Sequence, residues 1–435
     1  MTITSTSTVP PPDTEECGKL WTLEDTFIHP EFRLLYVPPK DENDKMMTII
    51  TPSKHEPSYV PDRKFYALSH LWGTDPKDNL WDVSDFISDE DGTTVDPIPM
   101  REEKRETFLN LLQENPGYWW IDVLCCRSDT PPIIMRGVYG CCHTCFAMLD
   151  CPSEAIEFFS TVILDPSKTY GEPIEGTSFE RNMVKGAALW KHARDIGECR
   201  WFSRVWTMQE LALPSSVILL AETCHMPCYY VSADSVWVFQ YSNEFNLRDK
   251  DNSDFQANIG TLRRAVGIIH GSEEHTANDF YLLDSVLLHL AKSERSCYFA
   301  EDYVYGVLGI LGLDIPRLND IEDIWDRFLF SFQRFVEKRF WESVKDLFCC
   351  GPFFYSPNKT YNEPYPETAT KHCQETMHFN ICEGARSCAL SGASKMADVY
   401  RGLLEITVNC SCSRCRFITT EWLNHFRYFT VVIRD

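Results

Sequence analysis

The sequence has no excess of positive charge and no basic cluster. Its 435 residues include 41 Lys and Arg against 64 Asp and Glu, which gives a formal net charge of −23. A surface this acidic repels phosphate backbones and anionic lipid headgroups. The composition therefore excludes general nucleic-acid binding and charge-driven attachment to an anionic membrane.

Long hydrophobic runs are also lacking. The longest candidate, residues 303–313, is far shorter than the roughly 20 residues that a membrane-spanning helix needs. Residues 1–16 are rich in Thr, Ser and Pro without an apolar segment, so they predict no secretory signal. We expect a cytoplasmic protein without a membrane span, long enough for two or three domains.

The 19 cysteines are an odd number and predict free, mostly buried thiols in a reducing compartment. Two arrays, Cys410–Cys415 and Cys224–Cys228, have spacings that occur around metals. Zinc sites usually combine two close ligand pairs, and no clean second pair lies just upstream of the C-terminal array. We assign no metal ligand and expect free thiols there, with a zinc site as the alternative.

Buried strands alternate with helices in the first half of the chain. The predicted strands are Phe65–His70, Tyr118–Cys126, Thr144–Leu149 and Ser216–Ala221, and the helices between them are Arg101–Gln113, Ile133–Cys142, Pro152–Ile163 and Met183–Ile196. Residues 40–63 and 84–99, rich in Pro and charged residues, are predicted loops. The alternation predicts an α/β domain with a parallel sheet.

The alternation stops near Val231. Helical spacing follows at residues 255–270, 279–292 and 321–348, and strand character returns at 403–408 and 428–433. We predict a disordered polar tail at 1–17, the α/β domain at 18–230, a helical region at 231–350 and a Cys-rich, irregular region at 351–435.

One stretch, Cys199–Leu211, combines aromatic residues with a single carboxylate. On one helix, Ser203, Trp206 and Glu210 lie at i, i+3 and i+7 and share a face. A carboxylate on such a face would lie beside apolar area that it normally avoids. The alternative is an amphipathic helix whose Glu210 reaches water.

Three separated stretches, Tyr66–Gly73, Trp120–Cys125 and Arg204–Leu211, resemble in order and spacing the three motifs of the fungal heterokaryon-incompatibility (HET) domain. Glu301–Leu311 resembles a segment that often follows this domain. The chain departs from the second motif, because Cys126–Ser128 stands where the family usually continues with Ile-Asn-Gln. Any role of that Asn-Gln pair is therefore in question here.

The HET domain is in turn similar to TIR domains. This resemblance implies a TIR-like (flavodoxin-like) parallel sheet flanked by helices, followed here by a mainly helical C-terminal region. Many TIR domains cleave NAD with a glutamate in a Ser-x2-Trp-x3-Glu motif, and Ser203, Trp206 and Glu210 have that spacing. It implies that Glu210 is catalytic and that NAD or a related nucleotide is the substrate, with no cofactor.

The candidate substrate-binding residues follow the predicted strands or lie near Glu210. They are Ser69, Trp72, Gly73, Asp122, Cys125, Ser203 and Trp206. Ligands of doubly wound sheets bind beyond the carboxyl ends of the strands, where a glycine admits a pyrophosphate and a tryptophan can stack on a ring. A glutamate facing the ribose would stabilise an oxocarbenium-like transition state.

Each candidate also has a structural alternative. Asp122 and Ser203 are equally suited to capping a helix, Trp206 to a core position, and Cys125 to a small buried apolar position. These alternatives are open at the level of the sequence.

The HET resemblance implies an effector of fungal non-self recognition and programmed cell death, and through the TIR similarity an NAD glycohydrolase. The alternative is a non-enzymatic signalling or assembly module. Such a module would act by self-association or by binding other incompatibility proteins, with Trp72, Trp201 and Trp206 as core or interface residues.

Overall fold

A computed structural model of the chain describes residues 22–42, 46–56, 59–72, 80–127, 130–164, 188, 191–223, 229–233, 266, 279–349, 375–381, 384–410 and 430–433. The predicted tail at 1–17 lies outside these residues, as does the predicted helix at 255–270 apart from Val266.

The central element of the described chain is an eight-stranded sheet. The described residues before 233 form ten strands: β1 (Leu34–Val37), β2 (Met47–Ile50), β3 (Tyr66–His70), β4 (Leu80–Trp81), β5 (Ile87–Asp89), β6 (Ile98–Pro99), β7 (Gly117–Ile121), β8 (Thr144–Leu149), β9 (Val217–Ala221) and β10 (Val231–Ser232). The sheet has the order β10-β9-β8-β3-β7-β1-β2-β5, while β4 pairs with β6 apart from it. Strands β9, β8, β3 and β7 run parallel to their neighbours in this inner group, which confirms the predicted fold class.

The inner strands are buried along nearly their whole length because their sequences are apolar on both faces. In chain order the parallel strands are β3, β7, β8 and β9, so their spatial order is second, first, third, fourth, as in flavodoxin-like sheets. β7 is added on one side of β3, whereas β8 and β9 are added on the other side. The order of the strands therefore reverses between β3 and β8, and the carboxyl ends of these two strands flank this switch point.

Helices cover the sheet and dominate the second half of the described chain. They are α1 (Leu23–Ile28), α2 (Arg105–Glu114), α3 (Asp122–Cys125), α4 (Ile134–Cys141), α5 (Ser153–Leu164), α6 (Thr207–Ala212), α7 (Asp279–Lys292), α8 (Asp302–Leu311), α9 (Ile321–Cys349), α10 (Gly384–Leu390) and α11 (Met396–Tyr400). A small sheet is formed by β11 (Met377–Ile381), β12 (Leu404–Val408) and β13 (Thr430–Ile433), and its strand β11 packs against α9. Among the described residues, no helix is both long and apolar enough to cross a membrane.

Three sequence-based predictions of local structure before residue 130 were wrong. The predicted loops at 40–63 and 84–99 contain β2, β5 and β6, which are short strands without a long apolar signature. The strand predicted to reach Cys126 ends at Ile121, and Asp122 opens the helical turn α3. A short apolar run fits a strand and a buried helical turn equally well, so its end cannot be read from hydrophobicity.

Two hydrophobic cores meet at α6. The first core surrounds the large sheet and includes Leu211. The second joins α7, α8, α9 and the small sheet, and it includes Val205, Met208 and Ala212. Residues of one short segment therefore pack into both cores. The domain boundary near residue 230 remains a prediction.

Candidate active site

Polar and ionisable side chains lie where each of the four inner strands ends. Ser69 and His70 close β3, Asp122 follows β7, Asp150 follows β8 and Glu222 follows β9. Because parallel strands end at one edge of the sheet, these groups share the edge at which ligands of such sheets bind.

Glu210 is joined to this edge by a buried hydrogen-bond chain. The Oγ of Ser69 donates to Oε2 of Glu210, and Nε1 of Trp201 donates to the same Oγ at 2.7 Å. Ser69 is buried, and Glu210 is only 8% exposed. The hydroxyl of Ser69 thus links β3 to the segment that carries Trp201 and Glu210.

Burial sets the ionisation of Glu210. Desolvation raises the pKa of its carboxyl to about 7, although the charge of Arg204 and the hydrogen bond from Ser69 act in the opposite direction. The negative charge of Asp122 adds to the upward shift. Near neutral pH, Glu210 therefore populates both its acid and its carboxylate form, as acid–base and charge-stabilising groups in active sites do.

Asp122 lies at the next strand end and is held ionised. Nε1 of Trp72 donates to its Oδ2 at 2.7 Å, and Nε2 of His70 lies 3.2 Å from its Oδ1 without a well-aligned hydrogen bond. Burial opposes the charge of this carboxylate, but His70, Trp72 and Arg204 together hold its pKa below the usual range.

A buried lysine, Lys104, contacts His70 on the side away from Asp122. Nζ of Lys104 donates to the backbone carbonyl of Leu71 and lies 3.1 Å from Nδ1 of His70. Burial lowers the pKa of Lys104 to about 8. Burial, together with the Lys104 charge, also lowers the pKa of His70. His70 is accordingly neutral at pH 7, and it separates the lysine from Asp122.

Four of the predicted site residues, Ser69, Trp72, Asp122 and Glu210, come together at this edge. Cys125 is buried in the first core, and burial raises the pKa of its thiol to about 12. Gly73 lies outside the described residues.

Ser203 lies outside the helix that carries Glu210, so the prediction that Ser203, Trp206 and Glu210 share one helix face was wrong. Arg200–Ser203 forms a 3₁₀ turn, and α6 begins only at Thr207. The Ser203 hydroxyl is exposed and donates to the Arg200 carbonyl at 2.7 Å. Trp206 is half-buried against the second core and hydrogen-bonds to Asp302.

Several residues of the site were not singled out from the sequence. His70 and Arg204 lie inside the quoted motif stretches, and Nη1 of Arg204 reaches the His70 carbonyl at 3.3 Å. Lys104 lies in the charged run Arg101–Glu106, which resembles an exposed helix face, so no sequence signal indicates its burial. For Trp201 the sequence predicts only a core or interface position.

Cys126 and Arg127, which depart from the family's second motif, lie at a cavity outside the candidate active site. Cys126 and Arg127 line a cavity of about 250 Å³ together with Arg33 and Asp89. Ser69, Asp122 and Glu210 do not line this cavity. The substitution at 126–127 therefore alters the surroundings of α3 on the side of this cavity.

The described residues contain no group of three or more His, Cys, Asp or Glu side chains arranged to hold a metal ion. Most of the two cysteine arrays lies outside the described residues. Cys125 and Cys142 carry free, buried thiols.

A comparison with known families gives one match. Residues 65–210, less than half of the chain, match the family model described as heterokaryon incompatibility protein (HET). The matched segment begins immediately before β3 and ends on Glu210. No curated protein and no solved structure gave a significant match to the chain.

Proposed function

We propose that this protein, which carries a HET domain over residues 65–210 and is thereby implicated in heterokaryon incompatibility, cleaves the nicotinamide–ribose bond of NAD with Glu210 as its catalytic residue. The observation that carries the proposal is the buried Glu210–Ser69 pair at the switch point of the parallel sheet.

The chemistry of the bond requires little from the protein. Nicotinamide leaves as a neutral molecule, so no strong general acid is needed. The ribose develops positive charge, and a carboxylate beside it stabilises that charge, as in glycosidases. Glu210 supplies the carboxylate above its pKa of about 7, and the Ser69 hydroxyl orients it. Water then forms a bond to the cationic ribosyl carbon and loses one proton to the solvent, which gives ADP-ribose.

Trp72 and Asp122 are suited to binding the substrate. The Trp72 side chain is held by its hydrogen bond to Asp122 but is 39% exposed, so it can present a ring face to the nicotinamide or adenine base. Ionised Asp122 adds negative potential at the same edge of the sheet. The similarity to TIR domains supports this assignment from the sequence.

The proposal is tested by incubating the purified protein with NAD and detecting nicotinamide. The assay is run on the protein alone and on a fusion to a filament-forming tag, because TIR-like domains work when they cluster. We expect nicotinamide release in at least the clustered form. A folded protein that releases no nicotinamide in either form would refute the proposal.

A second candidate function is association without chemistry, and one exposed aromatic pair favours it. Tyr298 is 92% exposed and Phe299 56% exposed between α7 and α8, and their rings lie 4.9 Å apart in an edge-to-face arrangement. Exposed aromatic side chains are typical of interaction surfaces. In this case replacing both with Ser abolishes self-association in light scattering and toxicity in cells, whereas Glu210→Gln leaves both intact.

A further inference from the structure

The backbone that leads to Glu210 pairs with a segment outside the HET domain. The N–H of Ser296 donates to the Ser203 carbonyl at 2.7 Å, and the N–H of Val205 donates to the Ser296 carbonyl at 3.1 Å. These bonds form an isolated parallel bridge between Arg204 and Ser296. Residues near 296 therefore fix the path of the chain just before α6.

Arg295, next to this bridge, is a buried cation that forms hydrogen bonds at the start of α6. It is 3% exposed. Its Nη1 donates to the Arg204 carbonyl at 2.8 Å and to Oγ1 of Thr207. Oγ1 of Thr207 in turn donates to the Trp201 carbonyl at 2.6 Å. The guanidinium thus binds the Arg204 carbonyl directly and is linked to the Trp201 carbonyl through the Thr207 hydroxyl.

A second contact from the same region holds the residue beside Glu210. Nε2 of Gln209 donates to the Tyr305 carbonyl at 3.1 Å, and the N–H of Gly309 donates to its Oε1 at 3.1 Å. The side chain of Gln209 therefore lies against the backbone of α8, and the position of Glu210 depends on residues beyond the matched segment.

The charge of Arg295 also acts on Glu210. The ionisable groups that influence Glu210 are Arg204, Arg295, Asp122 and Tyr139. Arg204 is shared, because it also acts on Asp122 and Asp302. For Arg295, Glu210 is the carboxylate whose charge opposes the effect of burial. Arg204 and Arg295 therefore both favour the charged form of Glu210, and Arg204 has the larger effect.

We propose that Arg295, although it lies outside the HET domain, is a positioning residue of the candidate active site that holds the start of α6 and places a buried positive charge at the start of the helix that carries Glu210. Its catalytic significance rests on the proposed function, but its effect on Glu210 does not. The region after the HET domain is then part of the site.

The test measures the pH at which Glu210 is half-protonated, by isotope-edited infrared or carbon NMR spectroscopy on the full chain. Arg295→Met removes the charge at similar length, and Arg295→Lys retains it. Arg386→Met is the matched control, because Arg386 pairs with Glu322 and Asp326 on α9.

Removing a buried cation near a carboxylate favours its neutral form, so we expect Arg295→Met to raise the half-protonation pH of Glu210 by about one unit. Arg295→Lys should raise it less, and Arg386→Met should not move it. An unchanged value in Arg295→Met, or an equal shift in Arg295→Lys, would overturn the proposal.

A measurement on the unmodified protein covers the case in which Arg295→Met does not fold. The nitrogen NMR signals of the Arg295 guanidinium should titrate at the same pH as Glu210 and lose this titration in Glu210→Gln. Arg295 nitrogen signals whose chemical shifts do not change at the pH at which Glu210 titrates would overturn the proposal. Because neither readout involves NAD, failure here is distinguishable from failure of the proposed NAD cleavage.

Discussion

Glu210 and Ser69 are polar side chains in positions where unpaired polar groups are strongly destabilising. The hydroxyl of Ser69 resolves part of this problem, since it accepts from Trp201 and donates to Glu210. The remaining cost of burying the charged carboxylate is not compensated, and it raises the pKa of Glu210 to about 7. A group kept at such a penalty is a candidate for function rather than for stability.

The raised pKa of Glu210 predicts a pH-dependent effect of Glu210→Gln on stability. Below about pH 4.5 the carboxyl is neutral in both states and contributes nothing. Between pH 4.5 and 7 the unfolded chain ionises while the folded chain stays protonated, so stability falls as pH rises. Glutamine escapes this loss, so the variant should be more stable than wild type at pH 8 by up to about 3 kcal/mol.

Urea unfolding of both proteins at pH 4.5 and pH 8 measures this difference. We expect near-equal free energies of unfolding at pH 4.5 and a stabilised Glu210→Gln protein at pH 8. A stability difference that is the same at both pH values would contradict the buried, proton-sharing role of Glu210.

Two serines provide a matched pair of substitutions. Ser69→Ala leaves the Trp201 N–H and the Glu210 carboxyl without their shared partner, which should destabilise the protein by about 1–3 kcal/mol. Ser203→Ala removes an exposed hydroxyl that bonds only its own 3₁₀ turn, so it should change stability by less than about 0.5 kcal/mol. Equal effects in urea unfolding would contradict this assignment.

At the scale of elements, α6 and α8 approach closely because α8 has glycines at the contact. A Cβ at Gly306 would lie 2.3 Å from Cγ1 of Val205, and one at Gly309 would lie 2.1 Å from Oε1 of Gln209. The Gly309 contact is with the end of a flexible side chain, whereas Val205 is fixed in the second core.

Substitution of these glycines tests the contact. Gly306→Ala should destabilise the protein by about 1–3 kcal/mol through overpacking, and Gly309→Ala should displace the Gln209 side chain. Gly140→Ala, in α4, is the control: nothing lies within 4 Å of its Cβ, so it should be neutral or stabilising by up to about 1 kcal/mol. Equal stability of Gly306→Ala and Gly140→Ala in thermal unfolding would contradict the close packing of α6 and α8.

Elements with strong periodic or continuous apolar patterns were predicted from the sequence, and weakly patterned ones were not. Thr144–Leu149 and Asp279–Lys292 form the predicted strand and helix with the predicted bounds. The strand Met47–Ile50 was missed because pairing with the strands on both sides of it, rather than its own sequence, defines it. The predicted helix through Ser203 was broken by a turn that Arg295, distant in sequence, stabilises.

At the scale of the whole molecule, α6 joins two hydrophobic cores. Val205, Met208 and Ala212 belong to the second core, whereas Glu210 and Leu211 face the first. A chain that stops near residue 233 would expose the apolar face of α6 and lose Arg295. The site and the helical region are therefore expected to fold together.

Truncation tests this coupling. We expect a fragment of residues 1–233 to lack a cooperative unfolding transition and to lose the near-UV circular dichroism of packed aromatic side chains, whereas the full chain retains both. A fragment that unfolds cooperatively with native near-UV signals would show that the HET domain is independent of the region after it.

The candidate site was predictable only where it coincides with strand ends and family motifs. Ser69, Asp122 and Glu210 were singled out in this way, because each lies in a motif stretch and two of them lie at strand ends. Lys104 and Arg295 come from segments whose sequences look like ordinary surface, and only the tertiary packing brings them to the site. The cleavage of NAD remains a prediction from the resemblance and the chemistry of the site.

The most direct test of the account is the rate of nicotinamide release from NAD at pH 8 by the full-length protein and by Glu210→Gln. Glu198→Gln serves as the control, because Glu198 is an exposed carboxylate outside the site. If the charge of Glu210 stabilises the transition state by a few kcal/mol, the rate should fall about a hundredfold or more in Glu210→Gln and stay unchanged in Glu198→Gln. A folded Glu210→Gln protein that releases nicotinamide at the wild-type rate would contradict the account.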